Sequence, residues 1–583
     1  MSKRKRPLGG LLSRPALQPG GMRAKALPQA MQQAVGCYRR GELAEAERLC
    51  RDLIEVQADN GDALSLLGQI ARQTGRIQEA IELLSSATRV NPLNVHAHSI
   101  LGNVLSDCGR YQEAVSSYDC VIKLKPGHAD AHYNRGTALC RIKRHAEALE
   151  SFDRVLRLDP ANVEAWINRG VALQELKRVD AALESYDRAL QLHPDSADAH
   201  YNRGNALRDV CRFSEALHHY DQAVAIRPDF VDGHIDRVMA LLGLARYAEA
   251  LQSAERAVSI QPDHAKARLN WALCLLLTGD FERGWTAYES RWQTEEFRAR
   301  LIKTSLPEWD GRPLAGPLLV WNEQGVGDEI FYAGMLRDLM SHAAKVTLCV
   351  DRRLVPVMQR SFGEIQVMTG DALRPDMGLA AHLPMGSLGR HLRSDFNAIE
   401  NGAQPYLKAD ATRAHDLRAR LAKGGRILCG LSWQSKNPLT GPHKTLRIED
   451  LAPVLQLPGI DFVDLQYGDT APEQAQALAI TGRALLRAPE IDNFNDLDGL
   501  AALIEACDVI LTVSNTTAHL AAAIGKPVLL MLPFSMGLLW YWHTERKDSP
   551  WYPTARLFRQ PATGDWKTVI ENVRTELVRW SVT

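Results

Sequence analysis

Gly136-Thr-Ala-Leu-Cys-Arg-Ile-Lys-Arg-His-Ala-Glu-Ala148-Leu-Glu-Ser-Phe152-Asp-Arg-Val-Leu-Arg-Leu-Asp-Pro160 is one segment of a pattern that returns every 34 residues. Its glycine recurs at Gly68, Gly102, Gly170 and Gly204, and its alanine at Ala46, Ala80, Ala114, Ala182, Ala216 and Ala250. Its aromatic recurs at Tyr118, Tyr186 and Tyr220, and its proline at Pro92, Pro126, Pro194, Pro228 and Pro262. A fixed period of this length predicts a helical hairpin that buries its apolar face only by stacking on the next copy. The glycine predicts a close approach of the two helices and the alanine their crossing. The aromatic is expected to fill the gap to the next repeat, and the proline to end the second helix. Seven units run over residues 27–264, the first departing from the pattern with Ala34 and Ala58 at the glycine and proline positions. Residues 265–297 carry Gly279-Asp-Phe-Glu-Arg-Gly-Trp285 and Tyr288-Glu-Ser-Arg-Trp292. That aromatic density predicts a helical cap that docks the array on something else.

The 34-residue period resembles the tetratricopeptide repeat (TPR), a binding surface without chemistry of its own. A chain of 583 residues is too long for one core, so further domains are expected. With 69 basic and 69 acidic residues, composition argues against a dedicated nucleic-acid binder. The ten cysteines form no CxxC or Cys/His cluster, which predicts free thiols in a reducing compartment and no structural zinc. No apolar run reaches the roughly 18 residues of a membrane span, so a cytoplasmic address is expected. The first 41 residues carry no acidic side chain, and residues 1–26 are expected to be a disordered basic tail.

Beyond Pro307-Glu-Trp-Asp-Gly-Arg-Pro313, expected to be a linker, the period changes. Apolar runs at Leu318–Trp321, Lys345–Val350 and Ile365–Met368 predict strands separated by helices, a first α/β lobe over 298–410. A second series starts at Ile427–Trp433 and continues through Phe462–Gln466, Asp508–Val513 and Pro527–Pro533, a second lobe over 425–583 closed by a helix from Trp566. Two such lobes would hold a ligand at the carboxyl ends of their strands.

Three segments bear chemistry. Gly325-Val-Gly327-Asp328 follows the first strand, and a carboxylate there could take a proton from an attacking hydroxyl. A helix-dipole role is the plainer alternative for Asp328, with Glu323 and Glu329 as possible substitutes. Ser514-Asn-Thr-Thr-Ala-His519 opens a helix after an apolar strand, so Asn515, Thr516, Thr517 and His519 could face a phosphate or simply cap the helix. Lys436 and Lys444 could neutralise the same phosphate or simply be solvated loop lysines, and Gln466 and Tyr467, ending a strand, could hold a base or sugar. Asp496-Leu-Asp498 matches a short metal-binding string, but helix capping accounts for it better, and no metal is expected. In the repeats, Asn134, Asn168, Asn202, Asp236 and Asn270 share one phase and predict an amide ladder able to hold an extended peptide by its backbone.

Gly325–Asp328, the Trp433-to-Thr445 stretch and the Ser514-to-Pro527 turn resemble the glycine-aspartate loop, phosphate segment and donor turn of heptosyltransferase-like GT-B glycosyltransferases. Ser549-Pro-Trp-Tyr-Pro-Thr-Ala-Arg-Leu-Phe-Arg-Gln560 and Gly564-Asp-Trp566 resemble a bacterial family that fuses TPR repeats to such a module. The resemblance implies an all-α TPR solenoid followed by a GT-B module of two Rossmann-like lobes. It implies Asp328 as general base, and Gly325, Gly327, Trp433, Ser435, Lys444, Gln466, Tyr467, Asn515, Thr516, Thr517 and His519 as donor contacts. Ser514-Asn515 stands where many relatives carry an aspartate, which argues against an ADP-heptose donor. The ladder is similar to that of O-linked N-acetylglucosamine transferases. The architecture resembles TPR-containing flagellin glycosyltransferases, which implies a protein acceptor in the groove, flagellin foremost, and a CMP-linked nonulosonic acid as donor substrate without any cofactor. Assembly of a polysaccharide or glycolipid, or an inactive TPR scaffold, are the alternatives.

Overall fold

The computed structural model describes residues 27–582 apart from Pro375, Lys423 and Leu439. The basic tail expected over residues 1–26 lies outside the described residues. The chain divides into two compact units, with the boundary between Val210 and Cys211.

The first unit is a run of helical hairpins. Its helices are Leu27–Arg39 and Leu43–Val56, Gly61–Gln73 and Ile77–Val90, Val95–Asp107 and Tyr111–Leu124. Ala129–Arg141 and His145–Leu158, Val163–Glu175 and Val179–Leu192, then Ala197–Asp209 complete it. The period dictates each feature locally. Asn60, Asn94, His128, Asn162 and Ser196 cap the first helix of successive hairpins, each side chain accepting the N–H three residues on. A cap of this kind contributes about 1 kcal/mol. The alanines Ala46, Ala80, Ala114, Ala148 and Ala182 are wholly buried. The glycines are needed for contact within the hairpin: a Cβ on Gly102, Gly136 or Gly170 would stand 2.6, 2.7 or 2.4 Å from the ring of Tyr118, Phe152 or Tyr186. The aromatic therefore fills the space over the glycine of its own hairpin, where the sequence led us to expect a gap between repeats.

In the second unit, helices Phe213–Ile226, Val231–Gly243, Tyr247–Ile260, Ala265–Thr278 and Phe281–Tyr288 continue the pattern. They share a unit with the strands because Leu242, Tyr247, Leu251 and Trp271 pack against the main core, and Ser535 Oγ donates to the Gly243 carbonyl at 2.7 Å. This unit starts well before residue 265, where the sequence led us to end the repeats. The cap docks through Trp285, 1% exposed, whose indole N–H donates to the Arg393 carbonyl at 2.8 Å. The Pro307–Pro313 stretch is no free linker: Trp309 is buried and its backbone N–H donates to the His382 carbonyl.

Two wholly parallel sheets follow. The first comprises β1 (Leu314–Trp321), β2 (Ala343–Cys349), β3 (Gln366–Met368) and β4 (Ala381–Pro384) in the order β3-β2-β1-β4. The second comprises β5 (Ile427–Ser432), β6 (Ile460–Asp464), β7 (Val509–Val513), β8 (Val528–Leu532) and β9 (Ala555–Arg559) in the order β6-β5-β7-β8-β9. In each sheet the strand order reverses beside the first strand, between β1 and β4 and between β5 and β7. The crevice at the carboxyl end of such a reversal is where open parallel sheets bind ligands. The helix Trp566–Val582 closes the chain.

Candidate functional site

Both reversals lead into the segments singled out in the sequence. Beyond β1 the chain makes the Asn322–Gly325 turn and enters helix Val326–Ala333. Beyond β7 it makes the Ser514–Asn515 turn and enters helix Thr516–Ile524. These two helix starts meet: a Cβ on Gly327 would lie 3.3 Å from His519 Cδ2 and 3.8 Å from Thr516 Oγ1. A side chain at 327 would press on His519, which would have to give by a few tenths of an ångström.

Asp328 sits in the first turn of its helix, half-buried, and accepts the Gly325 N–H at 3.3 Å. Burial holds its carboxyl up at about 6, against the pull of that N–H, of the Lys444 and Arg300 charges and of the neighbouring Tyr541 hydroxyl. Lys444 is 4% exposed, and burial lowers its ammonium to about 8 while Asp328 opposes the shift. Proton acceptor and cation thus share one poorly solvated space.

The two carboxylates held in reserve are committed elsewhere. Glu323 pairs with Arg291 at 3.1 Å and accepts the Gly386 N–H, and burial raises its carboxyl. Arg291, wholly buried between the rings of Tyr288 and Trp292, also reaches Glu289 and Ser387. Glu329 accepts from Asn322 Nδ2 at 2.9 Å and from the Asp351 N–H at 2.8 Å, with burial raising it to about 7.

His519 is 2% exposed, its ring stacked on Trp542 at 5.2 Å. Nδ1 lies 3.0 Å from the Tyr552 hydroxyl and Nε2 3.3 Å from that of Tyr541. Burial, aided by the Lys444 charge, lowers its ring to about 3, so it is neutral. With both nitrogens occupied, it faces tyrosines where a phosphate was expected. Asn515 is a helix cap, its Oδ1 accepting from Ala518 while Nδ2 donates to Ser432 Oγ and the Gln434 carbonyl. Thr516 stands at the junction with Gly327. Thr517 is wholly buried, and its hydroxyl has no hydrogen bond among the described residues.

Across β5, Gln466 Oε1 accepts from Ser432 Oγ and from the N–H groups of Trp433 and Gln434, at 3.0, 3.0 and 2.8 Å. It shapes the turn that carries Ser435, whose N–H donates to Thr445 Oγ1 at 3.2 Å. Trp433 is wholly buried in the core beside Cys429 and Leu446, so its ring is packing. The Tyr467 hydroxyl accepts the Lys436 N–H at 2.8 Å. A cavity of about 290 Å3 opens here, lined by Asp464, Gln466, Gly468, Arg487 and Asn493 among others. Arg487 and Asn493 were missed in the sequence because a short irregular stretch gives them no motif.

Asp496 caps helix Leu497–Ala506 and binds Arg413, and both carboxylate oxygens of Asp498 are bonded by Arg360. Among the described residues there is no group of three or more His, Cys, Asp or Glu side chains placed to hold a metal ion. No helix among them is long and apolar enough to cross a membrane.

The repeat ladder is less uniform than its spacing. In the first unit, Asn134 Nδ2 donates to Asn103 Oδ1 at 3.1 Å, Asn168 Nδ2 to the Tyr133 hydroxyl at 2.9 Å and Asn202 Nδ2 to the Asp198 carbonyl at 2.8 Å. Each amide is anchored through its nitrogen. In the second unit, Asp236 is buried and paired with Lys266 at 3.4 Å, while Asn270 Nδ2 is buried without a partner among the described residues. The four amides and Asp236 of the ladder thus stand in different surroundings in the two units. A second period was missed: Trp166 Nε1 and a ring nitrogen of His98, His132 and His200 each bond the carbonyl of the proline six residues earlier, at 3.0–3.1 Å. That spacing was visible in the sequence and marks structural histidines.

Family models described as tetratricopeptide repeat match residues 38–104, 101–163, 143–197, 197–230 and 235–296. The helical hairpins are tetratricopeptide repeats. Protein FlbA of Caulobacter vibrioides is 31% identical over 329 residues, covering 52% of this chain and 54% of FlbA. The chain thus spans about half the length of the curated relative it matches. Among solved structures, YrrB, described as a TPR protein with an unusual peptide-binding site, is 24% identical over 32% of this chain and 96% of its own, with a TM-score of 0.28. MamA from Desulfovibrio magneticus RS-1 is 24% identical over 29% of this chain and 96% of its own, with a TM-score of 0.28.

Proposed function

We propose that the repeats recruit a polypeptide and that the two-sheet module is a GT-B glycosyltransferase that moves a sugar from a nucleotide donor to a Ser or Thr hydroxyl. The convergence of Asp328, Gly327, Lys444 and Thr516 at the carboxyl ends of two parallel sheets carries this reading. Asp328 would accept the hydroxyl proton as the oxygen attacks the anomeric carbon, and Lys444 would offset charge on the departing phosphate. Glycine at 325 would leave the acceptor room to approach, while glycine at 327 lets the two helix starts meet. The cavity beside Gln466 and Asn493 has the size and polarity for the nucleoside end of the donor. His519, Gln466 and Asn515 hold the site together from behind, and Trp433 is core.

The resemblance to TPR-fused flagellin glycosyltransferases makes flagellin the acceptor to test first and a CMP-linked nonulosonic acid the donor. A second reading, a TPR scaffold whose module has no transferase activity, draws on the polar groups at the two helix starts being spent on one another. Intact-mass analysis of flagellin co-expressed with this chain separates the two. A mass increment that disappears with Asp328→Asn supports transfer. An unmodified acceptor that still co-purifies with the chain supports the scaffold, and modification of a glycan or lipid in place of protein supports the remaining alternative. CMP, UDP, GDP and ADP, each near a hundred times its dissociation constant, should stabilise the module by about 2.7 kcal/mol if bound.

A further inference from the structure

Two arginines of the second unit are buried against carboxylates. Arg291 is paired with Glu289 and Glu323, and Arg393, 4% exposed, with Asp338 at 2.5 Å. Arg559, which ends β9, is the contrast: it has no ion pair among the described residues. Its Nη2 donates to the Trp542 and Arg546 carbonyls at 2.6 and 3.2 Å, while Nε and Nη1 are buried without a hydrogen bond among those residues. Burial lowers its guanidinium to about 10, opposed by the Tyr247 phenol alone. A buried cation with donors left over is costly, and an anion beside it offsets much of that cost.

Arg559 lines a groove of about 750 Å3 between residues 545–548, β9 and the helix Trp566–Val582. Most of the charge along it is already matched. Arg556 and Arg579 bind Glu576, and Arg546 binds Asp548 and Glu400. Lys547 and Glu545 are exposed and carry no ion pair among the described residues, which leaves two cations and one carboxylate unmatched. The state of the guanidinium decides which anion fits. A guanidinium grips a planar carboxylate through two neighbouring nitrogens, and each such pair includes Nη2. Both Nη2 hydrogens are spent on carbonyls, so no fork remains whole. A tetrahedral phosphate needs none: one oxygen can take a hydrogen from Nε or Nη1, and another can meet Lys547 as a point charge.

We propose that the groove beside β9 binds a phosphate group, free or as a monoester, between the Arg559 guanidinium and the Lys547 ammonium. The groove shares no lining residue with the site around Asp328, Lys444 and His519. It is joined to that site through Trp542, whose carbonyl Arg559 holds, whose ring stacks on His519 and whose indole N–H donates to Ser514 Oγ at 2.9 Å. The volume leaves room beside the anion for the body of an ester. Glu545 is the one unmatched carboxylate on the groove, and its charge opposes the ligand. The phosphate site stands on these contacts whether or not the two-sheet module transfers sugar.

Calorimetric titration of the full chain at low ionic strength, with inorganic phosphate and with phenyl phosphate, tests the site. Lys444→Ala is the background, because it removes the cation assigned above to a donor phosphate. One phosphate should still bind per chain in that background. Arg559→Met should weaken it by at least about tenfold, the loss of a hydrogen bond to a charged group. Lys547→Ala should weaken it by about two- to fivefold, and Glu545→Gln should strengthen it by a similar factor. Both of those residues are exposed, so their variants decide the matter even if Arg559→Met fails to fold. Tighter binding of phenyl phosphate assigns the groove to a monoester, and equal or weaker binding assigns it to the free ion. The site is overturned if millimolar phosphate does not bind Lys444→Ala, or if binding ignores the changes at Arg559, Lys547 and Glu545.

Discussion

The repeats and the two-sheet module spend buried polarity in opposite ways. In the first unit, partners repeat at one register: Arg135 with Asp119, Arg169 with Asp153 and Arg203 with Asp187, at 2.6–2.7 Å and with the carboxylates about half exposed. Each rung is local and replaceable, and surface pairs of this kind are individually worth little. In the module, Arg291, Glu323, Lys444 and His519 are each under 5% exposed, and Arg291 binds Glu323 and Ser387, and His519 binds Tyr541 and Tyr552, across more than 20 residues of sequence. A recruiting surface assembled from rungs can lose one and weaken by degrees. A site assembled from single buried groups fails when one is removed.

The sharpest break in that contrast is Asp328→Asn, which keeps size and hydrogen bonding but cannot accept a proton. Transfer should fall by about 10²–10⁴-fold with donor binding little changed. The pH profile gives the sign: activity requires Asp328 ionised and Lys444 charged, so it should rise with pH through about 6 and decline above about 8. Near-normal turnover by the mutant, or a rate flat between pH 5 and 9, would remove Asp328 from the chemistry.

Arg291→Met comes next and acts on stability. It leaves Glu323 buried without its cation, a change that costs about 3–5 kcal/mol in comparable settings. Urea unfolding of the full chain should show this loss in the transition of the second unit, and Arg291→Met combined with Glu323→Gln should recover part of it. If the single mutant unfolds like the parent, the pair is not what fixes the loop leading to Asp328.

Replacing Asn134, Asn168 and Asn202 together by Ala tests the modular side. Three side-chain hydrogen bonds at roughly 0.5–1.5 kcal/mol each predict a loss of acceptor affinity of about ten- to a thousand-fold. Each single replacement should lose only its own share, and donor binding should not change. Equal effects of the single and triple mutants would mean the rungs are not independent.

The same contrast governs what could be read in the sequence. The hairpins were legible because each buried contact returns at a fixed spacing, as Gly136 with Phe152 does. Strands β1 to β3 and β5 to β8 were legible as apolar runs between helices. β4 was not, being four residues ending in Pro384, and neither was β9, whose Ala-Arg-Leu-Phe-Arg suits a strand or a helix equally. At the site, the two helix-opening turns could be found because glycines and hydroxyl residues punctuate apolar runs. Tyr541 and Tyr552 could not, because they lie in an aromatic stretch that reads as core and gain a polar role only when His519 is folded between them. Trp433 shows the converse: its place after β5 made it look like a ligand contact, but the sheet buries it entirely.

The smallest effect isolates backbone from side chain within the repeats. The turn inside each hairpin needs one residue in the left-handed region: Gly41, Gly75 and Gly109 in the first three, at φ of 79°, 79° and 75°, but Lys143 and Lys177 in the next two, at 61° and 60°. A Cβ on Gly75 or Gly109 would meet nothing within 4 Å, so any penalty there is conformational and not steric crowding by neighbours. For an L-residue that conformation costs roughly 1–2 kcal/mol. A lysine-to-glycine change regains this but loses about 0.4–1 kcal/mol through the freer unfolded chain. Lys143→Gly and Lys177→Gly should therefore each stabilise the first unit by roughly 0.5–1 kcal/mol, and Gly109→Ala should destabilise it by a similar amount. Because the repeats are quasi-independent, the two lysine changes should add. A measured shift in urea midpoint of opposite sign would mean that the Lys143 and Lys177 side chains hold their turns through contacts worth more than the strain.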